Sequence, residues 1–130
     1  MSVAHPPDNS GEIITCRASD SFGTWLAHAD GSLIVSTYQA GKVALIGWNG
    51  QTVSLLMRNF DKPLGVAVAG PQIALATRNE LLFLANAPLL APDFLEGKHG
   101  RFDGLYLPRV AYYTGDSNIH DVAFGAADRQ

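Results

Sequence analysis

The sequence predicts an all-β, β-propeller-like chain: two four-stranded antiparallel meander blades followed by the first strand of a third, an incomplete propeller. Three observations carry that reading. Short apolar runs alternate with turn residues from Gly23 onward, the pattern recurs with a blade-sized period, and a proline marks the strand expected on the outside of the second unit.

Residues 25–28 give the first apolar run, ahead of Ala29-Asp30-Gly31, and 22–27, which overlay on 64–69, are expected to form the first, channel-lining strand of blade one. Residues 32–37 are rich in β-branched side chains and read as the second strand. A polar loop with Gly41 leads to an apolar run at 43–48, and Asn49-Gly50, a strong hairpin signal, leads into 51–58. A second unit follows Asp61-Lys62-Pro63, with strands expected at 64–69, 72–77 and 81–85, broken by Gly70-Pro71 and Arg78-Asn79-Glu80.

The two units overlay. Gly23 and Gly65 stand 42 residues apart, and Thr37 and Thr77 stand 40 apart, inside the range of blade repeats. Residues 106–113 supply a fourth strand holding Pro108, which cannot donate to a ladder and so belongs on an outer edge. Residues 1–21 form a tail with room for one strand, and 22–130 the partial propeller domain. Blade one covers about 23–60, blade two about 63–114 with a long insertion at 86–105, and the third unit's first strand 118–126. Propellers close with about four to eight blades, so two blades and a strand read as a fragment of a ring with open edges suited to self-association.

Composition excludes several classes. With nine Lys and Arg against twelve Asp and Glu, the net charge of -3 and the scatter of cations leave nothing to neutralise a phosphate backbone, so nucleic acid is not an expected partner. The first ten residues lack the basic start and apolar core of a signal peptide, and nowhere do about 20 apolar residues run together, which points to a cytoplasmic, non-membrane protein. Cys16 is the single cysteine, expected to be an inert, half-buried thiol. Trp25, Trp48, Phe60, Phe83 and Phe124 are expected between blades, and His28 and His99 at the solvent surface.

In the expected topology the loops after second strands and after fourth strands share one face. That face gathers the loops 38–42, 61–62, 78–80 and 116–121, and Tyr38, Gln39, Lys42, Arg78, Arg109, Asp116, His120 and Asp121 are its candidate ligand-binding residues. His120-Asp121 has two readings: metal ligands or an acid and base at a channel mouth, or side chains that satisfy backbone at a blade junction. Adjacent residues on a strand point to opposite faces, so joint action needs a bulge. Gly41-Lys42 is not a phosphate loop, because no Gly stands five residues earlier and Val43 replaces the hydroxyl residue.

Ser36-Thr37-Tyr38-Gln39-Ala40-Gly41-Lys42, Pro63-Leu64-Gly65, Ala76-Thr77-Arg78 and Pro108-Arg109-Val110-Ala111-Tyr112-Tyr113-Thr114-Gly115-Asp116 with Ile119-His120-Asp121 together resemble the N-terminal part of a bacterial family of conserved hypothetical proteins with a propeller-like domain of unknown function. The resemblance spans roughly residues 22–124. It implies longer relatives with further blades, and it carries no activity.

Two functions remain in view. One is a non-catalytic binding or scaffold module that takes a small polar ligand or a protein partner without a cofactor. The other is a metal-dependent, lactonase-like hydrolase with a divalent ion in the channel. Gly23 and Gly65 stand where Asp121 stands in the third unit, a shortage of carboxylates that favours binding over catalysis.

Overall fold

A computed structural model describes residues 2–3, 16–88 and 104–126. The chain is mostly β, arranged as two antiparallel sheets. The first is the meander β2 (Leu33–Thr37), β3 (Lys42–Trp48) and β4 (Val53–Asn59). The second is the meander β5 (Val66–Ala69), β6 (Gln72–Ala76), β7 (Glu80–Asn86) and β8 (Leu105–Tyr113), extended by a short parallel strand β1 (Ser2–Val3) against the start of β8.

The turns explain why each meander folds back on itself. Gly41 takes a positive φ of 64°, and a Cβ there would lie 3.0 Å from the Phe60 carbonyl oxygen, so only glycine closes the β2–β3 connection at this point. The Asn49-Gly50 signal yields a four-residue turn rather than a two-residue one: Asn49 Oδ1 accepts from the backbone N–H groups of Gln51 and Thr52, both at 2.9 Å. Gly70-Pro71 makes the two-residue turn that sets Ala69 opposite Gln72. In β8, Phe83 pairs with Val110 but Leu84 with Pro108, which leaves Arg109 as the extra residue of a bulge. Pro108 lies beyond the two positions where β1 pairs with β8, on the open side of the outermost antiparallel strand.

Several expectations are corrected. Residues 22–27 are not a strand: Asp20–His28 is a helix, α1. Ser19 caps it by accepting from the Phe22 N–H at 3.2 Å, Asp20 suits its positive end, and the Phe22 and Trp25 rings stack at helical spacing, 5.9 Å apart. Only Leu26 of α1 is buried, against β3, so Trp25 is 53% exposed and Trp48 37% exposed instead of both lying between sheets. Residues 118–126 form no ladder, Cys16 is exposed, and His99 lies outside the described residues, as does most of the 86–105 insertion. Asn86 Oδ1 accepts from the Leu105 N–H and ties the base of that insertion.

The core lies between the sheets. Val43, Leu45 and half-buried Ile34 and Leu56 of the first sheet meet Ile73, Leu75, Leu84 and Tyr106 of the second, with Phe60 at the crossing between them. At about 25 cal/mol per Å² of apolar surface, this contact is the main stabilising term. The two sheets do not present equivalent faces to each other. Thr37 and Thr77 occupy the same place at the ends of β2 and β6, each donating its hydroxyl to a carbonyl across the following turn, to Lys42 and Glu80. Counting back from them, Ile34 corresponds to Ala74, yet Ile34 faces the core while Ala74 lies on the side of its sheet away from Ile73 and Leu75. The sheets therefore stack front to back. Ala74 and Ala76 are nonetheless buried, on the side where the extended 119–124 segment brings Phe124 edge-on to Phe83.

Candidate functional site

One end of the stacked sheets carries the β2–β3 turn, the β4–β5 connection, the β6–β7 turn and the chain after β8. Backbone bonds fix these pieces together: Phe60 N–H donates to Gly41, Arg78 N–H to Asp61 and Thr114 N–H to Asn79, at 2.8 to 2.9 Å. Polar side chains then converge. Tyr38 Oη donates to Asn118 Oδ1 at 3.4 Å, the Lys62 ammonium stands 5.8 Å from the Tyr38 ring centre, and Arg78 Nε lies 3.5 Å from an Asp116 carboxylate oxygen. Both partners of that ion pair are well exposed, so it orients the groups more than it stabilises the fold.

Lys62 and Asn118 both hold left-handed backbone, at φ 48° and 47°. Asn tolerates this conformation and Lys does so only when its surroundings enforce it, at a cost on the order of 1 kcal/mol. Gly65 admits a third contributor to the mouth: the Asp121 backbone passes where a Cβ at Gly65 would lie only 3.1 Å away.

A cleft of about 320 Å³ opens beside the mouth, lined by Asn59, Asp61, Thr77, Asn79 and Glu80 over Phe60 and Leu82. The Lys42 ammonium donates to Asn59 Oδ1 at 2.7 Å and so orients that amide. Two carboxylates, three neutral polar groups and an apolar floor can accept hydrogen bonds from a small hydroxylated or amino-bearing ligand.

Of the residues singled out in the sequence, the structure brings Tyr38, Arg78, Asp116 and His120 to this end, with Lys42 behind the cleft. Gln39 is exposed in the turn. Arg109 stands apart, in the mid-strand bulge of β8. His120 Nδ1 donates to the Asn118 carbonyl at 2.7 Å. Asp121 Oδ1 accepts from the Val122 N–H. Both side chains thus engage their own neighbourhood, and among the described residues no three His, Cys, Asp or Glu gather as a metal site would require. Asn59 and Thr77 escaped sequence reading, since each is an ordinary strand-end residue until the ends of four connections meet, whereas the loops holding Lys62 and Asn118 were expected on this face.

Stacked antiparallel sheets with a polar mouth define a mostly-β protein whose connections, rather than its strands, carry the candidate site. The chain belongs to the family described as Domain of unknown function (DUF4915), whose model matches residues 20–130. No curated protein and no solved structure matches it. Among the described residues, no helix is long and apolar enough to cross a membrane.

Proposed function

We propose that this chain is a non-catalytic binding module, part of a β-propeller, that holds a small polar ligand at the mouth formed by Tyr38, Lys62, Arg78 and Asn118 and in the adjoining cleft. The observation that carries the reading is the convergence of polar side chains from four separate connections on one end, beside a cleft at the small end of the ligand-pocket range. The propeller part is supported by the front-to-back stacking of equivalent sheets, since blades around an axis repeat one orientation whereas a two-fold sandwich turns equivalent faces toward each other. The local bonds of His120 and Asp121 support binding over catalysis.

Thermal-shift screening against polyols, sugars, amines and amino acids tests this. A true ligand at free concentration L stabilises the folded state by RT ln(1 + L/Kd), about 2.7 kcal/mol at a hundred times its dissociation constant, and the melting temperature rises with its concentration. Glu80→Gln and Arg78→Ala should each remove the shift while leaving the unliganded melting temperature nearly unchanged. A shift that survives both substitutions places the ligand elsewhere and ends the proposal.

A further inference from the structure

The first sheet is one strand short on its inner side. In the second sheet, β5 pairs along β6, but among the described residues the equivalent edge of β2, residues 33–37, carries no strand, because the segment that corresponds to β5 is wound into α1. Leu33 and Val35 on that edge are 36% and 41% exposed. Residues 119–124 present the complementary half: a segment in no ladder among the described residues, whose sequence overlays on the start of β5. The structure already holds it against the second sheet, with the Asp121 backbone against Gly65 and Phe124 on Phe83.

We infer that residues 119–124 of one chain pair with the open edge of β2 in a second copy, completing a four-stranded sheet across the junction. An unpaired edge is a template for strand addition, and main-chain hydrogen bonds supply the affinity. The occupant is argued from the repeat: the strand that belongs beside a β2-type strand has this sequence pattern, and β5 beside β6 shows the pairing within the chain. The junction also lets the apolar Leu33 and Val35 side of the second copy approach Val110 and Tyr112, which lie on the same side of the second sheet as Phe83 and are 45% and 59% exposed. α1 lies on this same face, over Trp48 and Val53, and beside it Leu33 and Val35 keep their exposure. Such a contact is head to tail: each chain offers one edge and one segment, so copies add until a ring closes or the chain of copies ends.

The inference rests on the blade reading above, and its test is independent of any ligand. The mass of the full chain is measured by light scattering across a concentration series, for the wild type, for Val35→Lys and for Val122→Pro. The wild type should associate, and each variant alone should be a monomer, because a charged edge or a proline in the added strand stops pairing. An equimolar mixture of the two variants should form a dimer and nothing larger, since only the intact segment of one and the intact edge of the other remain. Leu33→Lys replaces Val35→Lys if the latter fails to fold, as judged by circular dichroism. A monomeric wild type, a variant that still associates alone, or a mixture that stays monomeric overturns the inference. The Val35→Lys monomer should keep the ligand shifts of the mouth, which separates a failure of self-association from a failure of the binding reading.

Discussion

Residues 22–27 and 64–69 can be overlaid in sequence, 42 residues apart, and fold differently: the first is the body of α1 and the second enters β5. The later segment places the β-branched Val66 and Val68 at alternate positions and ends in a two-residue Gly70-Pro71 turn, so it folds straight back along β6. The earlier one is preceded by Ser19-Asp20, a cap and an acidic first turn, and spaces Phe22, Trp25 and Leu26 for one helical face. His28 Nδ1 reaches back to the Thr24 carbonyl at 2.8 Å within the helix. Where pairing geometry is supplied by a tight turn the strand wins, and where it is not, local capping decides.

The strongest way to sharpen the contrast is to weaken the sheet to which β5 belongs. Leu75, 1% exposed and paired opposite Val66, fills the contact between the sheets. Leu75→Ala should cost about 2–5 kcal/mol, read as a lower urea midpoint at constant slope. A loss under 1 kcal/mol would mean that the front-to-back contact contributes little to folding.

Gly65→Ala comes next, at about 1–3 kcal/mol of overpacking, because its new methyl meets the Asp121 backbone rather than a movable side chain. The substitution should push the 119–124 segment off the sheet, seen by NMR as loss of ring-current shifts between Phe83 and Phe124. Unchanged shifts would show that the segment is not held at Gly65.

Ser19→Ala should cost about 1 kcal/mol and lower helical ellipticity at 222 nm, since the Phe22 N–H loses its acceptor. This one side chain also marks the limit of what sequence reading reached. The strands β2 to β8 were legible because β-branched and apolar runs end at turn residues with defined geometry, and Pro108 announced the outer position. The helix was not, because Gly23-Thr24-Trp25 suits a strand as well as a helix and the repeat argued for a strand. The terminal segment failed for another reason: a ladder needs a partner, and the sequence of a strand does not supply one. Tyr38, Arg78 and Asp116 were visible as chemistry at loop positions, with Lys62 and Asn118 in loops on the same face, whereas the left-handed backbone at Lys62 and Asn118 is signalled by no local pattern.

The smallest effect is the most direct test of the comparison. Gly23 is the counterpart of Gly65, but its surroundings reverse the expected sign. A Cβ there meets Val53 Cγ2 at 3.7 Å and a Trp48 ring carbon at 3.8 Å, both ordinary contacts. Gly23 also lies inside a helix, where alanine is favoured over glycine by about 0.5–1 kcal/mol. Gly23→Ala should therefore stabilise the chain by about that amount while Gly65→Ala destabilises it, a pair of opposite shifts in urea midpoint from one chemical change at equivalent repeat positions. If Gly23→Ala is instead destabilising, the segment spends its time in a conformation other than α1, and the empty edge of β2 is the place where its backbone would be found.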